Sequence, residues 1–256
     1  MRGFFYLMTF LVVPWMVAPS QATDPTIPPT GPSFRVETEL FEGTKVEPAA
    51  RHLILFQSGV IYELRLDDQR LVTIYDPGRG RVVLVDCRNL QRVTLATDVL
   101  TTAAAQFRAA VQEEGKGEAF GLSAEVQYLA PSVEEEQERL EVHFGDMRYS
   151  TTIQAVVNPA IPTAYHDFTL LASRLNIVRK QGIPPFARLA LSEAIAQRNS
   201  LPLETSLEMK QGLRKQRIRS HLLVVEQLSA NDEARIAEIG RVLASCAEVS
   251  FNEFQQ

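Results

Sequence analysis

The chain has 256 residues, with 26 basic and 31 acidic side chains, a formal net charge of −5, 45% hydrophobic residues and 8% aromatic ones. That balance excludes a collagen-like chain, a coiled-coil rod and a wholly disordered polymer. The acidic excess argues against a protein that grips nucleic acid or an anionic membrane through bulk charge.

The first segment reads as an address. Arg2 precedes an apolar run over residues 3–17 that contains Phe4, Phe5, Leu7, Phe10, Leu11 and Trp15, and small residues follow at Ser20 and Ala22. This pattern predicts a secretory signal over residues 1–22, cleaved before Thr23. The rival reading, an uncleaved anchor, needs about 20 apolar residues, whereas this run is shorter and broken by Pro14. No cysteine precedes Cys87, which leaves no lipid attachment by that route. The expected product is exported to the periplasm or cell envelope and carries no transmembrane domain after cleavage. Residues 23–33 hold Pro25, Pro28, Pro29 and Pro32 and predict an extended tether.

From residue 34 the texture is β. Runs at 34–40, 53–56, 60–66, 71–75, 81–85 and 91–97 are separated by turn chemistry at Gln57-Ser58-Gly59 and Asp76-Pro77-Gly78-Arg79-Gly80. Short apolar runs with such turns, and no helical crossover, predict an antiparallel meander. Asp98 is the expected cap of a helix marked by Leu100, Ala104, Phe107 and Val111 and ended by Gly115. Strands resume at 121–129, 140–144 and 147–156. Glu134, Glu135, Glu136 and Glu138 lie among them as a solvated acidic loop.

The remainder is mainly helical. Ala164, Phe168, Leu171, Leu175 and Val178 form one stripe, Gly182 stops that helix, and Pro184-Pro185 starts another through about Arg198. Residues 203–209 and 217–228 suggest a last hairpin, although the second run is also compatible with helix. Ser229 to Asp232 supply the N-cap of a final amphipathic helix at 233–247. About ten strands and four helices, mostly strands first, make a single α+β domain over 34–250.

Two cysteines leave two readings open. Cys87 and Cys246 could close a disulfide in an exported chain, or each could be a small buried hydrophobe, since Cys246 keeps register with Ile236, Ile239 and Leu243.

Signatures of catalysis are missing. The chain has no G-x-S-x-G, H-E-x-x-H, C-x-x-C or G-x-x-x-x-G-K-[ST] pattern. His52, His143, His166 and His221 are dispersed without ligand-like spacing. In Tyr165-His166-Asp167, consecutive helical side chains point in different directions, and His166 reads as a surface residue. A hydrolase would need His143, His166 or His221 to meet an acid in a cleft. The expectation is a protein that is not an enzyme and carries no cofactor or metal. Residues 53–56 and 81–85 are apolar on both strand faces, which fits a closed sandwich, a dimer interface, a cavity or a core packed on both sides.

A layout-level resemblance adds a family. The proline-rich start, the aromatic strand after a Ser-Gly turn (Gly59 to Tyr62), the Asp76-Pro77 hairpin, the strand from Val82 to Asp86, the helical insertion and the final hairpin opened by Leu201-Pro202-Leu203-Glu204 resemble the exported LolA/LolB-like superfamily. The resemblance implies an unclosed, half-barrel-like antiparallel sheet, curved, with helices on its concave face, and a lipid or lipoprotein carried there. Two features depart from that family: the proline tether replaces a helix before the first strand, and the helix at 233–247 is additional. The expected ligand-binding residues are Phe56, Tyr62, Phe168, Leu171 and Leu175, and the expected partner is a lipid or other apolar small molecule. The alternative is a non-catalytic envelope module that meets a protein partner through a sheet edge or the acidic loop.

Overall fold

A computed structural model describes residues 31–131, 137–211 and 214–254. The signal-like segment, the tether through residue 30 and Glu134, Glu135 and Glu136 of the acidic run lie outside the described residues.

The strands are β1 (Phe34–Glu42), β2 (Ala50–Gln57), β3 (Val60–Arg65), β4 (Leu71–Asp76), β5 (Arg81–Asp86), β6 (Gln91–Ala96), β7 (Val126–Leu129), β8 (Arg139–Phe144), β9 (Met147–Ala155), β10 (Ser200–Gln211), β11 (Arg214–Val225) and β12 (Ala247–Glu248). They form one open, curved sheet in the order β12-β6-β5-β4-β3-β2-β1-β11-β10-β9-β8-β7. Every pairing is antiparallel except β12 with β6. The β2–β3 turn shows why the meander forms: Ser58 and Gly59 take φ of 55° and 79°, the positive pair that a two-residue hairpin requires. The last hairpin, β10–β11, is inserted between β1 and β9 and joins the meander to the β7–β9 half.

The helices are α1 (Thr97–Glu113), α2 (Ala160–Val178), α3 (Phe186–Ala196), α4 (Ala230–Ser245) and α5 (Phe251–Phe254). The fold is α+β, as the strand and helix runs predict. On the inner face, Phe34, Val36, Ile54, Phe56, Tyr75, Val82 and Leu84 pack against Phe168, Leu171 and Leu175 of α2. On the outer face, Leu53, Leu55, Val72, Ile74, Val83 and Val85 pack against Ile236, Ile239 and Cys246 around α4. The side chains of β2 and β5 therefore alternate between two filled cores, one on each face. This decides among the explanations left open for doubly apolar strands, because α4 covers the reverse of the sheet. A third core places Ala187, Leu191 and Ile195 of α3 over Leu140, Val142, Phe144, Tyr149, Ile153 and Leu207.

Several local expectations need correction. Asp98 does not cap α1: the N-cap position is Ala96, and the Asp98 carboxylate accepts from the Val99 N–H at 2.7 Å inside the first turn. The run from residue 217 is strand as far as Val225 and not helix, because β11 pairs on both sides with β1 and β10. α2 ends at Val178, ahead of Gly182. β12 and α5 span two and four residues, too short to show a period. Ser229 does cap α4, in a reciprocal capping box with Asp232. Cys87 and Cys246 are free thiols in the same outer-face cluster, and burial pushes both thiol pKa values up.

Two acidic groups tie this architecture together. Asp86 accepts from Arg70 Nε and Nη2 at 2.9 and 2.7 Å and from the Arg88 and Asn89 N–H groups at 2.9 Å each. Asp232 accepts from the Ser229 N–H and hydroxyl at 2.9 and 2.7 Å and from Arg35 of β1 at 3.2 Å, which fastens α4 to the sheet. Burial pushes both carboxyls up, but these donors outweigh it and hold both pKa values below the usual carboxylate range. A depressed folded pKa means that the stabilisation is complete above the unfolded value of about 4 and is lost as pH falls through the folded value. Thermal melts should therefore drop steeply below about pH 4. Asp86→Asn and Asp232→Asn should melt lower at neutral pH, with a shallower acid limb.

Candidate functional site

The inner-face cores under α2 and α3 do not meet along their whole length. α2 covers the meander, α3 covers β8 to β10, and residues 179–185 connect the two helices. At the seam, β1, β11 and β10 form the floor of a groove of about 270 Å3. Strand alternation supplies its apolar lining: Leu40 from β1, Ile218 and Leu222 from β11 and Leu207 from β10, closed by Pro202 and Ile183. Leu222 belongs to the α2 core and Leu207 to the α3 core, so the groove lies between two packed cores. Thr38, Leu40, Ile218 and Ser220 are half-buried, as expected for a floor open to solvent on one side.

The polar lining comes from both layers, with Thr38 and Ser220 in the floor. Tyr165 of α2, Arg188 of α3, Tyr149 of β9 and Thr205 of β10 all face the groove. Thr205 is held by the Thr151 hydroxyl at 2.9 Å. The Arg188 Nη1 nitrogen is buried and has no hydrogen-bond partner among the described residues. Burial pushes the Tyr149 phenol up, with Arg188 pulling in the opposite direction. Tyr165 behaves in the same way, with Glu63 adding to the rise. Both phenols are thus neutral donors beside a cation.

Next to the groove, and sharing Tyr165, Arg188 and Pro202 with it, is a small pocket of about 10 Å3 lined by His166, Ser192 and Ser200. His166 is half-buried, not a surface side chain, and its Nδ1 lies 3.1 Å from Ser192 Oγ. That is the spacing of a nucleophile and its base. Yet no carboxylate among the described residues bonds His166, and the pocket holds about one water. His143 lies 3.5 Å from Glu141, and His52 lies 3.5 Å from Glu63. His221 lines a separate outer-face depression with Glu39 and Glu204.

The residues singled out from sequence fall in two places. Phe56, Phe168, Leu171 and Leu175 come together in the inner core, where Phe56 stacks on Phe34 at 4.0 Å and meets Phe168 edge-on at 6.0 Å. Tyr62 packs against the outer-face cluster on the other side of the sheet. None of the five lines the groove. The groove residues Tyr149, Arg188 and Thr205 escaped sequence reasoning, and Tyr165 was weighed there only beside His166 and Asp167 as a catalytic cluster. One signal was present: Arg188 precedes Leu191 by three and Ile195 by seven residues, which places a cation on the apolar stripe of a helix.

No protein-family model and no curated protein sequence matches the chain. Among solved structures it is similar to the crystal structure of a LolA superfamily protein from Nitrosomonas europaea, at 10% identity and a TM-score of 0.27, with 79% of this chain and 89% of that one covered. At that distance no residue role transfers, and the chemistry of the groove rests on its own side chains.

Proposed function

We propose that this chain is an exported, non-catalytic binding protein that holds one lipid-like apolar ligand between its sheet and its helices. The observation that carries this reading is the half-open groove at the seam of two packed cores, with Leu40, Leu207, Ile218 and Leu222 presented to one volume. Small-molecule sites are concave, mostly apolar and supplied with a few placed polar groups, and this groove has that composition. Phe56, Phe168, Leu171 and Leu175 serve the site from behind by fixing α2 and hence Tyr165, whose ring lies 6.0 Å from that of Phe168. The periplasm or cell envelope is the proposed location, on the strength of the apolar run and the small residues at Ser20 and Ala22.

A fluorescent fatty-acid probe titrated into the purified protein should give saturable, single-site binding, and natively purified protein should release an apolar compound into organic solvent. Ile218→Arg, which fills the floor with a charged side chain, should weaken probe binding by about tenfold or more. No saturable binding together with a clean extract would remove the proposal.

A further inference from the structure

Resting on that reading, we infer that the groove takes a single-chain carboxylate, with Arg188 receiving the head and the Leu40, Leu207, Ile218 and Leu222 wall receiving the chain. Three observations converge on the head. The buried Nη1 of Arg188 has no hydrogen-bond partner among the described residues, an arrangement that favours an incoming anion because a buried donor left unmade is costly. No acidic side chain contributes to the groove lining, so the protein itself offers no competing carboxylate there. Tyr149 and Tyr165 line the same volume, and neither hydroxyl makes a hydrogen bond within the described residues, so both can donate to the oxygens of a bound head.

A guanidinium presents its N–H groups in a planar fork that matches a carboxylate in two parallel bonds. The size of the groove selects the tail. A volume of about 270 Å3 lies below the roughly 300–1,000 Å3 of drug-sized ligand sites. Four aliphatic side chains lining a volume at the small end of that range match one chain better than the paired tails of a phospholipid.

The test compares decanoate with decanol, identical in chain and different in head, as competitors of the fluorescent probe on the full chain. Wild-type protein should bind decanoate about tenfold or more tighter than decanol. Arg188→Met should abolish that preference, with decanoate losing at least about tenfold more affinity than decanol. Arg188→Gln, shorter and uncharged but still polar, provides the same comparison should the methionine variant fail to fold. Equal binding of the two competitors by wild-type protein, or a preference that survives in a folded Arg188 variant, overturns the inference and leaves the apolar-ligand reading intact. Binding of neither competitor nor probe overturns both.

Discussion

Phe168→Ala should destabilise the fold by about 3–5 kcal/mol, the usual cost of emptying a buried aromatic site. Its ring is the hub of the inner core, meeting Phe56 edge-on at 6.0 Å, Tyr75 edge-on at 5.3 Å and Tyr165 tilted at 6.0 Å. Around it lie Leu171 and Leu175 of the same helix and the inner-face residues of six meander strands, so relaxation into the void has to come from several elements at once. The measurement is urea unfolding followed by circular dichroism, with the midpoint falling at unchanged slope. Fluorescent-probe titration of the fraction that remains folded separates two roles for this residue. A residue of the supporting core loses stability and keeps most of its affinity, whereas a ligand contact loses affinity in proportion.

The second large effect is expected at Gly121. This residue has φ of +73°, and a Cβ placed there would stand 2.8 Å from the Ala187 Cβ and 3.2 Å from the Phe144 ring. Gly121→Val therefore incurs two costs, about 1–2 kcal/mol for a side chain in left-handed backbone and about 1–3 kcal/mol for overpacking. Gly115→Val is the control, because Gly115 has φ of +66° with nothing within 4 Å of its would-be Cβ. The difference between the two unfolding midpoints isolates the steric part. Ala187 is the immediate neighbour of Arg188, so a shift of α3 that admits the valine should also blunt the preference for decanoate over decanol.

Much of the architecture was legible in the chain because it is written in local chemistry. The Ser58-Gly59 turn, the Ser229 and Asp232 capping box, and the stripe of Phe168, Leu171 and Leu175 each carry their signal within a few residues. The doubly apolar runs of β2 and β5 were equally visible, but their explanation was not. It requires knowing that α4, more than 140 positions downstream of β5, returns to cover the outer face.

The candidate site lies at the far end of that scale. Strand alternation and helical periodicity determine which side chains are buried together, and for that reason they pointed to Phe56, Phe168, Leu171 and Leu175, which are core. A groove arises where packing stops, and the stopping place depends on how far apart α2 and α3 lie over β10, β11 and β1. Its lining draws Thr38, Tyr149, Arg188 and Ile218 from four separate elements. By itself the sequence determined the α+β class, the order of its hairpins and helices and the composition of its cores. Only the tertiary structure decided which face each helix covers and where the half-buried Arg188 meets an uncovered apolar floor, because both depend on contacts between residues far apart in the chain.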